Sequence, residues 1–374
     1  MDTVSTNTPP TSGIGIRKAS HLSICTDPSR FTVEGGQSGF EQVHFLHSAL
    51  PELAERELDT AASFLGSTVP LPLFISCMAG GSEEGYQANR ELARAAQAAG
   101  IPVGMGSFRV LFESPELFHH FHLKALAPDV PVLANLGSVQ VRELDHGKIF
   151  EWLKRLEVQS LVVHLNPGQE LFQPEGDRDF RGLKAALARL CQRCPVPVIV
   201  KETGFGILPY LARELLEAGA AYVDLAGAGG TNWITVEAYR LPESERGPAA
   251  EFTDWGLPTA ALLAAMSGST DRLLASGGLR TGLDVAKAMA LGARVAGLAL
   301  PFVRRVVEGG AEAVVKMIHG LEQALRAAMV LTGSRNLAEL RRGVVWLDPD
   351  LEHTAARLRQ AGTPMSTVRP GRAE

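Results

Sequence analysis

From about residue 70 onward the chain repeats one phrase: a short apolar run, then Gly, Asn or Ser, then an alanine-rich stretch with its charges on one side. That alternation belongs to a parallel sheet whose strands are joined by helical crossovers. Eight apolar runs carry it: Leu71–Cys77, Ile101–Met105, Pro131–Ala134, Leu161–His164, Val196–Val200, Ala221–Leu225, Arg272–Ala275 and Arg294–Leu298. They are continuous rather than alternating, as strands buried on both faces must be. The stretches between them, such as Glu84–Ala99, Phe180–Arg193 and Gly282–Leu291, carry apolar residues at helical period. Most runs lie about 25 to 35 residues apart, the length of strand, loop, helix and return, while the sixth and seventh are near 50 apart and must enclose an inserted loop. The pattern predicts an α/β fold, a (β/α)8 barrel over residues 65–330. Residues 1–16 read as a flexible tail, 17–64 as an N-terminal segment contributing to the active site, and 331–374 as a C-terminal helical extension and tail. An open doubly wound sheet would read the same way, so closure is an expectation.

With 374 residues, 45% hydrophobic and 21% charged, the chain can fill one large barrel. Its 36 basic residues against 41 acidic ones leave a net charge of -5, and no long basic run argues for a nucleic-acid surface. The longest apolar window, Val285–Phe302, is interrupted by Lys287 and Arg294, so no membrane span is expected. Four unevenly spaced cysteines and the absence of an apolar signal in residues 1–15 suit a reduced, cytoplasmic setting. Cys191 and Cys194 have redox spacing but close a helix before Pro195 and lack a second pair for zinc. His119, His120 and His122 are expected on the solvated face of an outer helix; Ala311–Met329 and Leu337–Arg342 read as further helices, and the Pro- and Arg-containing end as a tail.

In a parallel barrel the chemistry sits where strands end and loops begin. Those positions are unusually polar: Met78-Ala79-Gly80-Gly81, Gly106-Ser107-Phe108-Arg109, Ala134-Asn135-Leu136-Gly137, His164 to Glu170, Lys201 to Gly206, Gly227 to Trp233, and Ser276 to Arg280. Gly277-Gly278 before the seventh helix, with Ala296-Gly297 at the eighth strand, occupies the usual phosphate position of such barrels, although glycines there also serve tight turns. Arg280 favours an anion. Lys201 at an apolar strand end needs a compensating negative charge, which an anionic reduced flavin or a neighbouring carboxylate such as Glu202 can supply. Asn135 can reach a ring edge or cap a helix, and His164 can act on a substrate or be a hydrogen-bonded core histidine.

Taken in order, these segments resemble the type 2 isopentenyl-diphosphate isomerases, flavin-dependent (β/α)8 enzymes. The match rests on Arg17-Lys18-x-x-His21, the Met78–Gly81 turn, Ala134–Gly137, His164-Leu165-Asn166-Pro167-x-Gln169-Glu170, Gln173–Asp177, Lys201-Glu202-x-Gly204-x-Gly206, Gly229-Gly230-Thr231-x-Trp233, Asp254–Thr259 and Ser276-Gly277-Gly278-x-Arg280. The resemblance implies interconversion of isopentenyl and dimethylallyl diphosphate by FMN in its reduced form, with NADPH as reductant, Mg2+ bound through the substrate, and a homo-oligomer (tetramer or octamer). It implies that Arg17, Lys18, His21, Ser107, Arg109 and Gln169 bind the diphosphate substrate and that Glu170 is the metal carboxylate. Gln169, His164 and Lys201 would be catalytic. Met78, Ala79, Gly80, Ser107, Asn135, Lys201, Thr231, Gly277, Gly278, Arg280, Ala296 and Gly297 would contact the flavin. An electron-rich reduced flavin beside a tertiary cationic state would explain a redox cofactor in a reaction with no net redox change. Two positions depart from the family: Ala79 stands where it usually has Thr, and Phe108 where it usually has Gln, which puts substrate affinity in question. A flavin-dependent 2-hydroxy-acid oxidoreductase on the same barrel, and an inactive flavin- or phosphate-binding homologue, are the competing expectations.

Overall fold

The computed structural model describes residues 13–78 and 80–361. Among the described residues twelve strands run in chain order: β1 Val43–Phe45, β2 Ala62–Phe64, β3 Ser67–Val69, β4 Leu73–Ile75, β5 Val103–Ser107, β6 Val132–Gly137, β7 Ser160–Leu165, β8 Val198–Glu202, β9 Tyr222–Asp224, β10 Leu273–Leu274, β11 Ala296–Leu298 and β12 Val345–Leu347. β4 to β11 pair in parallel, each with its sequence neighbour, and β11 returns to β4 through Ala296 and Leu73. An Ala275–Ala296 bridge joins the β10 end to β11, with the amide of Gly297 donating to the carbonyl of Ala275 at 2.8 Å. The ring is therefore closed, and all eight apolar runs of the sequence supply a strand.

Val, Ile, Leu and Ala fill these strands because both faces are buried, one in the barrel and one under helices. Each crossover helix has a local reason to start and stop. Ser82 accepts the amide of Gly85 at the start of Glu83–Ala99, and Gly100, at φ 69°, ends it. Thr281 and Asp284 form a reciprocal capping box before Gly282–Ala290, fixing the turn that carries Gly277 and Gly278.

Several expectations need correction. A helix, Gly13–Thr26, begins inside the stretch read as a flexible tail and carries Arg17, Lys18 and His21 on a defined scaffold; residues 1–12 lie outside the described residues. His120 departs from the expected solvated face: it is buried, 5% exposed, and stacked on Tyr86 at 4.4 Å, whereas His119 is exposed on a 3-10 helix and half-buried His122 pairs with the exposed Glu157 at 2.8 Å. In the C-terminal extension β12 pairs antiparallel with β1, and a helix, Pro349–Gln360, follows. Residues 362–374 are outside the described residues. The long helix Leu300–Leu331 is broken at Gly309 and Gly310, where Glu91 accepts the amide of Ala311 and caps the second half.

Candidate active site

Two cavities of about 560 and 870 Å3 open at the C-terminal ends of the barrel strands and share Cys77, Met78, Lys201, Thr203 and Trp233 as a common wall. The first is bounded by Thr231, Gly277, Gly278, Arg280 and Gly297. The second is bounded by Arg17, Lys18, His21, Ser107, Arg109, Asn135, His164, Gln169 and Glu170. Gly80 lines a smaller adjoining recess with Lys18 and Trp233. Ala296 is the exception, buried within β11 and lining neither cavity, and Ala79 lies outside the described residues.

In the first cavity the glycines are dictated by close backbone approach. A Cβ on Gly277, at φ 92°, would lie 2.1 Å from the carbonyl oxygen of Gly227, and one on Gly278, at φ 80°, 2.5 Å from the Cβ of Ser38. The Thr259 hydroxyl donates to the Gly277 carbonyl at 2.7 Å and holds this turn. Arg280 pairs with Glu34, which also accepts from Arg304 at 2.8 Å, so two guanidinium groups share one carboxylate. Burial alone would raise the Glu34 pKa; Arg280 and Arg304 outweigh it and hold the carboxyl below its ordinary value. The mouth thus keeps net positive charge beside a glycine turn. In the shared wall the Thr203 hydroxyl is buried with no hydrogen-bond partner among the described residues. A phosphate against the turn and a polar ring edge against Thr203 and Lys201 fit this cavity, which is the shape and chemistry of FMN.

Lys201 is buried, and its ammonium donates to the backbone carbonyl of Glu202 at 2.5 Å rather than to the Glu202 carboxylate. That carboxylate is engaged elsewhere: one oxygen accepts the amides of Thr203, Gly204 and Phe205 at 2.5–2.6 Å and of Gly206 at 3.2 Å. Burial pushes its pKa up to about 7, against the pull of those amides and Lys201. Glu202→Ala would leave buried amides without an acceptor, and we expect a loss of about 3 kcal/mol, read by thermal unfolding of the FMN-loaded protein.

The second cavity is cationic. Lys18 donates to the Ser107 carbonyl at 2.6 Å, and burial together with Arg17 and Arg109 pushes its pKa down to about 7. Arg17 lies 3.7 Å from Glu175, which holds Arg240 at 2.8 Å. Behind these cations sits Glu237, fully buried: it meets His21 and accepts from Gln169, both at 2.8 Å, and pairs with Arg240 at 2.6 Å. Burial would raise the Glu237 pKa, but His21, Gln169 and Arg240 more than offset it and keep it low. Gln169 is doubly anchored, because its carbonyl also accepts from Asn166 at 3.0 Å. Glu170 accepts from Asn166 at 3.0 Å and from the amide of Asp177 at 2.9 Å. Among the described residues no group of three or more His, Cys, Asp or Glu is placed to hold a metal. His164 hydrogen-bonds Asn135 at 3.0 Å, and burial with Lys201 and Lys18 pushes its pKa down to about 3, leaving it neutral.

Glu237 and Glu34 were not singled out from the sequence, and Asn166 was named there only within a motif, without a role. Glu237 left one signal, an acidic residue within the largely apolar helix Trp233–Arg240, three residues before an arginine. Phe108, by contrast, is fully buried against Phe112 and faces the core rather than the cleft. Its difference from the family therefore removes no group from the cavity wall. Phe108→Gln would bury an unpaired amide; we expect about 2–4 kcal/mol of destabilisation and no gain in substrate affinity, measured by denaturant unfolding and by KM.

The sequence profile of the FMN-dependent dehydrogenase family matches residues 26–111 and 166–347. The chain is 41% identical to the isopentenyl-diphosphate delta-isomerase of Borrelia garinii subsp. bavariensis over 88% of its own length and 92% of that protein. It is 42% identical to the enzyme of the same name from Halobacterium salinarum, over 87% and 91% of the two chains. Among solved structures it resembles a flavocytochrome b2 double mutant with pyruvate bound, at TM-score 0.65 and 18% identity, over 92% of this chain and 85% of that one. A mutant of an active chimera of (S)-mandelate dehydrogenase superposes with TM-score 0.62 at 19% identity, over 88% and 99%. At such identities these two structures speak for the fold alone.

Proposed function

The chain belongs to the isopentenyl-diphosphate delta-isomerase family and carries the FMN-dependent dehydrogenase domain, and from that premise we propose that it interconverts isopentenyl and dimethylallyl diphosphate with FMN in its reduced form. The observation that carries this reading is the pair of cavities meeting at one wall: a glycine-turn pocket for FMN and a cationic pocket for a small diphosphate. A 2-hydroxy-acid substrate would need one carboxylate clamp; three converging cations, Arg17, Lys18 and Arg109, suit the higher charge of a diphosphate.

Gly277, Gly278, Arg280, Thr203 and Lys201 would hold the cofactor, whose reduced ring supplies electron density to a cationic state and a site for proton exchange. Arg17, Lys18 and Arg109 bind the diphosphate and fix the short alkyl chain against Met78 and Trp233 in the shared wall. Glu170 would hold Mg2+ brought in with the phosphates. His164, neutral, donates through Nδ1 to Asn135 and offers its bare Nε2 as an acceptor, so it orients rather than protonates. Gln169 is held by Asn166 and by Glu237, which makes its amide a fixed polar group at the reacting end. We place the enzyme in the cytoplasm as a tetramer or octamer, with NADPH as reductant; among the described residues no helix is long and apolar enough to cross a membrane.

The test is anaerobic incubation of the FMN-loaded protein with Mg2+ and isopentenyl diphosphate, with and without NADPH or dithionite. Dimethylallyl diphosphate should form only after reduction and without stoichiometric consumption of reductant. A yellow protein that makes none would overturn the assignment.

A further inference from the structure

Behind the loop that carries Asn166, Gln169 and Glu170, between the outer helices Ser138–Glu143, Leu183–Arg193 and Pro209–Glu217, lies another cavity of about 700 Å3, counted to its open mouth. It is an open groove in the helical shell, and its volume is of small-ligand size. Its wall is hydrocarbon: Val139, Leu165, Phe180, Leu187, Leu211 and Leu215. Polar lining is confined to Ser138, Asn166 and Lys184, and the charge of Lys184 is met by Glu214 at 2.5 Å. No uncompensated charge therefore faces the cavity, and an anionic head group would be desolvated there without a countercharge.

Asn166 forms part of this wall and of the catalytic wall. Its amide nitrogen donates to both Gln169 and Glu170 at 3.0 Å, while its carbonyl oxygen has no hydrogen-bond donor among the described residues. The group joining the two cavities thus has acceptor capacity to spare, which a hydroxyl satisfies.

We propose that this outer cavity binds an uncharged small molecule, a hydrocarbon body ending in one hydroxyl, and that its occupancy shifts Asn166 and so the set of Gln169 and Glu170. Binding stands independently of the isomerase reading; the effect on turnover rests on it. Octan-1-ol titrated calorimetrically into the FMN-loaded full chain should show one saturable site, and octane-1-sulfonate should bind at least about tenfold more weakly. Leu211→Trp and Leu183→Phe, two separate fillings of half-buried wall positions, should each weaken octan-1-ol at least about tenfold with FMN content and basal turnover unchanged. In the isomerase assay octan-1-ol should lower kcat at saturating substrate in the parent chain and in neither filled variant. Absent saturable binding, equal binding by both filled variants, or equal binding of the sulfonate would overturn the site. Binding with kcat unmoved would overturn the coupling through Asn166, and absence of isomerase activity would leave the calorimetric result standing.

Discussion

Lys18→Met is expected to raise the KM for isopentenyl diphosphate about tenfold to a hundredfold while leaving FMN bound, the cost of losing one charge-assisted contact of about 1.5–3 kcal/mol. The position is sensitive because three cations crowd one wall before any anion arrives. Burial, Arg17 and Arg109 together bring the Lys18 pKa to about 7, so near neutrality the empty cleft is ready to shed that proton. A bound diphosphate reverses the balance and raises the pKa, so binding takes up a proton above about pH 7 and affinity falls as pH rises, by up to about tenfold per unit. Calorimetry with inorganic pyrophosphate in buffers of different ionisation enthalpy measures that uptake directly, and Lys18→Met should abolish it. Stability follows the same sign rule. With the folded pKa below the ordinary 10.5, the unfolded chain binds more protons between about pH 7 and 10.5, and the Lys18 contribution to ligand-free stability rises with pH across that window. A KM that stays within threefold of the parent would place the diphosphate elsewhere.

Gly277→Ala should have the larger structural effect. The added methyl meets the Gly227 carbonyl at 2.1 Å, a backbone atom that cannot step aside as a side-chain tip would, and φ 92° is strained for any residue with a Cβ. We expect purified protein without yellow colour and at least about 3 kcal/mol less stable, seen as loss of the flavin absorbance and a lowered unfolding midpoint. Gly320→Ala is the matched control: that glycine lies within a helix, with open space where its methyl would sit, and should be neutral or stabilising by up to about 1 kcal/mol. Equal FMN retention in both variants would show that the turn is not the phosphate cradle.

The barrel was legible because parallel strands buried on both faces must be written as unbroken apolar runs, and glycines at their ends stand out against that background. Lys201 was legible for the same reason, an ammonium at the end of Val198–Val200. What it contacts was not: sequence adjacency suggested the Glu202 carboxylate, whereas the strand turns that side chain back onto the amides of residues 203–206 and leaves only the carbonyl to the lysine. Glu237 was illegible because two of its partners, His21 and Gln169, come from distant stretches, and only Arg240 lies on its own helix. The helix at Gly13–Thr26 has low amphipathic contrast and β-branched and serine residues, so its stability comes from docking on the barrel rather than from its own pattern. Phe108 misled for a related reason: one residue along a strand end separates the cleft wall from the core, and spacing alone does not say which side it takes.

The pairing of β1 with β12 joins Val43–Phe45 to Val345–Leu347, partners about 300 residues apart in the chain. A ribosome adding about 5–20 residues per second needs roughly 15–60 s to travel from one to the other. Throughout that interval β1 has no strand to pair with, and the eight barrel strands all emerge first. The clasp is thus a late seal on a finished ring, and a chain released between Leu331 and Val345 should leave the channel with its eight barrel strands complete and the segment around Val43 open to proteases.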